Sequence, residues 1–252
     1  MRKALVIISV SSRVEALNEL LGTIEQYAPD WDVCLLFQDN AGNRAKIDMR
    51  RITHVFFEDK MLGCNRARIR LLKAIKPFGY DIYCNLDDDI LLTEHTHYEP
   101  AITKCLERGT GFVLTNWART EALMLAKVPA MRDVFVKQAL IYQGGGMLYN
   151  DIVADIVRAL PEDDTVFDEG WPLSAYLAGY TNYRYLGSLA IHKICTSGGM
   201  REYFAQSDLS KLKTSFPQYI RYEKSDRGCG WLIPMDANLT SMAKKTHEVN
   251  LK

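Results

Sequence analysis

Six cysteines, at 34, 64, 84, 105, 195 and 229, form no C-x-x-C pair, and no histidine stands at zinc-ligand spacing from them. That absence excludes a structural zinc site and a disulfide framework, and points to a reducing compartment. No G-x-x-x-x-G-K-[ST] occurs, and no G-x-G-x-x-G follows the first apolar run, so a P-loop kinase and a dinucleotide enzyme both lose their phosphate-binding loop. No apolar run is long enough to span a bilayer. Met1-Arg2-Lys3 followed by Ala4 to Ile8 imitates a signal peptide, but the run is too short and lacks a small-residue cleavage pattern. Neither sign of charge is in excess, with 31 Lys plus Arg against 31 Asp plus Glu. No global field therefore draws the chain to nucleic acid or membrane. Repeats and linkers are missing too. The expectation is one cytoplasmic domain over residues 1–252 with no membrane segment; the sequence leaves its oligomeric state open.

What is present is an alternating pattern. Lys3 to Val10 is a β-branched run of the kind buried on both faces of a parallel sheet. Val14, Leu17, Leu20, Leu21 and Ile24 then mark one face of a helix, and Asp32 to Phe37 is the next strand. His54 to Phe57 makes a third strand, Asn65 to Lys76 a second helix, and Ile82 to Leu86 a fourth strand. Alternation of this kind predicts a doubly wound sheet over the first third. Further on, the pattern predicts helices at 98–108, 151–160 and 173–178 and strands at 111–116 and 183–191. It also predicts a strand, glycine turn and strand over 139–149. The apolar face of the 151–160 helix is assigned Ile152, Val153, Ile156 and Val157.

The fourth strand ends in Asp87, Asp88 and Asp89. Adjacent carboxylates repel, and a strand leaving a core gives them little water, so a positive partner is expected. Two readings are open: a site for a hard cation such as Mg²⁺ or Mn²⁺, or a solvated acidic turn. Position favours the first, because ligands bind open α/β sheets at the carboxyl ends of strands. Upstream, Gly63 opens a helix whose first turns carry Arg66 and Arg68, in a distinctly basic segment from Arg44 to Lys76. Those arginines either meet phosphate at a helix amino terminus or form a solvated basic face.

Taken in order, Ser11-Ser12-Arg13 after the first strand, Asp39-Asn40 after the second, Gly63 with Asn65-Arg66-Ala67-Arg68, and the Asp87-Asp88-Asp89 strand end resemble the nucleotide-sugar half of GT-A fold glycosyltransferases. The resemblance covers roughly the first hundred residues and implies an α/β, Rossmann-like GT-A fold, with a mostly parallel central sheet flanked by helices and a smaller acceptor-side region. Residues 1–92 would form the donor half and 93–252 the acceptor half. It implies a metal-dependent transferase using Mn²⁺ or Mg²⁺ and a nucleotide-diphosphate sugar, a UDP-sugar being favoured. Ser11, Arg13 and Asp39 would sit near the nucleoside, Arg66 or Arg68 near phosphate, and Asp87 and Asp88 on the donor. Asp87 and Asp89 would be the two D-x-D aspartates at the metal.

The same resemblance orders the second half. Gly144, Gly145 and Gly146 would lie near the donor sugar, or simply form a turn. Asp168 or Glu169 would be the general base toward an acceptor hydroxyl, or cap a helix. His192 would complete the metal site with Asp87 and Asp89, or be a structural histidine. Trp117 and Trp171 would line a sugar pocket or fill core. In the last third Arg201, Lys211, Lys213, Arg221, Lys224 and Arg227 interleave with Tyr203, Phe204, Phe216, Tyr219, Tyr222 and Trp231. That mixture suits phosphates and bases as well as an ordinary surface. With the small size of the chain, it extends the resemblance to phage enzymes that glycosylate hydroxymethylated pyrimidines in DNA. A nucleotidyltransferase and a non-catalytic nucleotide-sugar-binding module are the alternatives. The first lacks a glycine- and lysine-rich loop after strand one, and the second would need no base.

Overall fold

The structure is a computed structural model describing residues 1–38, 44–118, 131–138, 146–160, 162, 167–193, 220–224 and 230–234. For Ala118, Gln138, residues 167–169 and the last two segments only the backbone is described. The elements run β1 (Lys3–Val10), α1 (Val14–Tyr27), β2 (Asp32–Gln38), β3 (His54–Phe57), α2 (Cys64–Ile75), β4 (Ile82–Asp87), β5 (Ile90–Leu91) and α3 (Glu99–Leu106). They continue through β6 (Thr110–Ala118), β7 (Phe135–Gln138), β8 (Gly146–Asn150), α4 (Asp151–Arg158), α5 (Phe167–Leu177) and β9 (Thr181–His192). A separate antiparallel pair, β10 (Ile220–Lys224) and β11 (Gly230–Pro234), closes the described chain.

The main sheet has the order β3-β2-β1-β4-β8-β6-β9-β5, with β7 on β9. From β3 to β4 it is parallel, as the β-branched runs require. Beyond β4 it becomes mixed: β8 is antiparallel to β4 and β6, and β9 is parallel to β6. The strand period of two divides β1 between two cores. Leu5 and Ile7 meet α1 and α3 on one face, while Ala4, Val6 and Ile8 meet α2, α4 and α5 on the other. Each helix is thus amphipathic against one side of a single sheet, a three-layer α/β/α arrangement.

The expected strand and glycine turn at 139–145 lie outside the described residues; the strand after them is β8, which pairs with β4 and β6. Two expectations are corrected. In α4, Ile152 is 63% exposed, and the buried face is Val153, Ala154 and Val157. Asn150 sets that phase, because as N-cap its side chain accepts from the Val153 amide at 3.0 Å, which turns position 152 outward. Finally, α5 begins at Phe167, six residues before the predicted helix, so Asp168 and Glu169 occupy its first turn.

Candidate active site

The site forms where β1, β4 and β9 end together. Parallel register sets Ile8 beside Asp87, so the residues that follow each strand meet beyond the sheet edge. Ser9 donates its hydroxyl to Asp88 Oδ2 at 2.7 Å. Arg13, in the short turn between β1 and α1, reaches both following acids: its Nε lies 3.2 Å from Asp88 Oδ1, and its Nη2 contacts Asp89 Oδ2. The cation demanded by the acidic strand end is therefore supplied first by the protein. Asp87 has a different partner, the fully buried Arg68, whose Nη2 is 2.5 Å from Asp87 Oδ1. The other terminal nitrogen of Arg68 contacts Cys64 Sγ at the start of the same helix.

The two-residue strand β5 brings in the histidine. Ile90 pairs with His192 and Leu91 with Ile191, and the Lys193 amide donates to the Asp89 carbonyl at 2.9 Å. This backbone clip sets His192 Nε2 at 3.3 Å from Asp89 Oδ1. Trp117, at the end of β6, touches the imidazole edge-on, with centroids 4.7 Å apart and planes at 89°.

Burial governs the electrostatics. It pushes the Asp88 carboxyl up to about 7, with the charges of Asp89 and Asp87 adding to the rise and Arg13 and Ser9 opposing it. Burial raises Asp89 too, but the hydrogen bonds and charges of His192 and Arg13 together outweigh it. Asp89 ends below the ordinary carboxylate range. Adjacent acids are thereby driven apart, one toward a proton and one toward a permanent charge.

Carboxylate oxygen and imidazole nitrogen converging at Asp89 and His192 make a donor set suited to Mn²⁺. Among the described residues no three His, Cys, Asp or Glu side chains form a ready cage. Asp89 and His192 supply two ligands that fit such an ion, which would need its others from outside the described side chains.

Of the site residues expected from sequence, Arg13, Asp88, Asp89 and His192 are brought together, and Asp87 stands next to them facing Arg68. Arg68 itself is buried on Asp87 rather than open to phosphate, because it lies on the helix face that packs against the sheet. Arg66 points its Nε to the Glu162 carbonyl at 3.0 Å, on the side of α2 that also carries Arg70 and Lys73. Gly146 is packing: a Cβ there would meet Cys84 Sγ at 2.9 Å, Tyr98 OH at 3.2 Å and Thr115 Oγ1 at 3.3 Å. Trp171 is core, with its indole nitrogen donating to Asn65 Oδ1 at 2.8 Å. Asp39, Gly144, Gly145 and most of the basic, aromatic last third lie outside the described residues. Ser9 was not singled out from sequence, although a hydroxyl interrupting the apolar run of β1 between Ile8 and Val10 is the available signal.

Solved structures share this fold. A mannosyltransferase, PcManGT from Pyrobaculum calidifontis, in complex with GDP-Man and Mn²⁺, superposes with a TM-score of 0.57 at 12% identity, covering 78% of this chain and 58% of that one. GalNAc-T7 with UDP, GalNAc and Mn²⁺ gives 0.64 at 9% identity, covering 86% of this chain and 48% of that one. The chain has the GT-A fold. TarS 1-349 of S. aureus is a further neighbour, with a TM-score of 0.52 at 13% identity over 76% of this chain and 58% of that one. This chain thus spans about half the length of these GT-A neighbours. No protein-family model matches it, and no curated protein does. Among the described residues no helix is long and apolar enough to cross a membrane.

Proposed function

We propose that this GT-A chain is a metal-dependent glycosyltransferase that moves a sugar from a nucleotide-diphosphate sugar to an acceptor hydroxyl. The observation that carries the reading is the pairing of Asp89 with His192 at 3.3 Å, beside Arg13, at the carboxyl end of β4. It is supported by the fold shared with proteins whose structures hold GDP-Man or UDP together with Mn²⁺. Residues 1–92 are the donor half and 93–252 the acceptor half. Asp89 and His192, with Asp87 adjoining, would hold Mn²⁺ or Mg²⁺. When bound, that ion supplies positive charge to the departing diphosphate.

The remaining work belongs to side chains of the protein. Arg68 holds Asp87 in place from beneath. Ser11, Arg13 and Asp39 flank the nucleoside and its phosphates, and Arg66 adds charge along α2. Asp168 or Glu169, in the first turn of α5, takes the proton of the acceptor hydroxyl as its oxygen attacks the anomeric carbon. UDP is the favoured nucleotide, and a hydroxymethylated pyrimidine in DNA is the acceptor suggested by the alternating basic and aromatic residues from Arg201 to Trp231.

A thermal-shift panel of UDP, GDP and their sugars, with and without Mn²⁺, tests the donor, because a ligand of the folded state raises its apparent stability. A rise for at least one diphosphate that needs Mn²⁺ and vanishes in Asp89→Asn is expected. No rise with any of them overturns the assignment. Initial rates with hydroxymethylated duplex DNA, simple sugars and peptides then sort acceptors, and absence of a DNA product removes that acceptor. Either Asp168→Asn or Glu169→Gln should lower turnover with donor binding kept. A non-catalytic binding module would be indifferent to both.

A further inference from the structure

The position of Arg13 carries an inference that rests on the donor reading above and goes beyond it. One guanidinium spans two acids: Nε lies 3.2 Å from Asp88 Oδ1 and Nη2 contacts Asp89 Oδ2, while the opposite oxygen of Asp89 faces His192. All three side chains are largely shielded from water, with Arg13 14% exposed and both acids 9%. A divalent ion arriving alone at Asp89 and His192 meets this positive charge at close range and shares the carboxylate with it.

A diphosphate changes that balance. Its oxygens offer the guanidinium the same two-pronged acceptor that the carboxylates do. We propose that Arg13 couples the two ligands: it occupies Asp88 and Asp89 until a nucleoside diphosphate arrives with the metal, then moves its charge onto the phosphates and yields Asp89 to the ion. The exchange is one of ion pairs only, and no covalent bond changes. Its consequence is that the metal alone binds weakly and that ion and diphosphate bind as a pair. Arg13 is then a positioning residue acting through Asp89.

Calorimetric titration of Mn²⁺ into the protein, alone and with saturating UDP or GDP, reads this coupling without any turnover. In Arg13→Gln, Mn²⁺ alone should bind about tenfold tighter than in wild type, and the tightening given by diphosphate should shrink by a similar factor. An unchanged or weaker affinity for Mn²⁺ alone overturns the proposal. Should Arg13→Gln fail to fold, Arg13→Lys serves the same comparison. An ammonium engages one carboxylate where the guanidinium engages two, so a smaller gain in Mn²⁺ affinity is expected, and no gain is fatal. If wild type binds neither Mn²⁺ nor a diphosphate, the donor reading falls and this inference with it. If it binds both and the variants keep full coupling, only the role of Arg13 is lost.

Discussion

Removing either end of the Arg68–Asp87 pair has unequal consequences, because the guanidinium is fully buried while the carboxylate side chain is 36% exposed. Asp87→Ala strands a charge in the interior and should lower stability by about 3 kcal/mol. Arg68→Met leaves an acid that water still reaches, and should cost less. Urea denaturation of the two variants orders them, and equal losses would contradict the geometry. The residue scale also shows what could be read from the chain alone. Asp87, Asp88 and Asp89 announced a need for positive charge, and the need was real. What composition and spacing could not give was its source, since Arg13 is 75 and 76 positions from the two acids it meets (13 to 88 and 13 to 89). Arg68 was misplaced for a related reason. An arginine two residues after Arg66 looks equally solvent-facing in sequence, but that spacing turns it by about 200° around the helix, onto the buried side.

Two elements owe their position to glycine. Gly63 caps α2 with φ 84° and ψ 170°, a conformation that is nearly closed to residues bearing a Cβ. Gly63→Ala should cost about 1–3 kcal/mol. It should shift the urea midpoint and leave the slope unchanged, since the strain is local. Gly146 starts β8 under a different constraint, the crowding of Cys84, Tyr98 and Thr115 against its Cα. Gly146→Val should destabilise by about 1–3 kcal/mol through overpacking, whereas a glycine needed only for a turn would show its loss in φ rather than in volume. Diphosphate affinity measured beside stability separates packing from donor contact, and a fall in affinity with stability intact would restore the donor role. Elements with strong period, β1, α1, β2 and β4, were legible because each buries one clear pattern. The mixed half was not, because β7, β8 and β9 take their neighbours from distant segments, and pairing partners leave no mark on a strand's own composition.

At the scale of the whole molecule, α2 and α4 are tied to their surroundings by peripheral acids. Hydrogen bonding from Lys73, opposed by burial and reinforced by Arg70, holds Glu162 below its ordinary pKa, and hydrogen bonding from Lys76 and Arg158 does the same for Asp155. Acids with lowered folded pKa contribute stability that is complete above their ordinary values, near 4, and is lost as pH falls through the folded ones. Melting temperature should therefore drop below about pH 4.5 and drop less in Glu162→Gln, and added salt should narrow the difference, each such pair being worth under about 1 kcal/mol. A variant melting curve parallel to wild type through that range would dismiss the contribution. The clip between β5 and β9 bears on how the molecule comes into being. About a hundred residues separate Asp89 from His192, and two backbone rungs join them. Closing so long a loop is slow relative to forming the parallel unit from β1 to β4. A nascent chain will thus own its acids, and their arginine, well before it owns the imidazole, so the contact of Asp89 with His192 is completed last, as a mark that synthesis has passed β9.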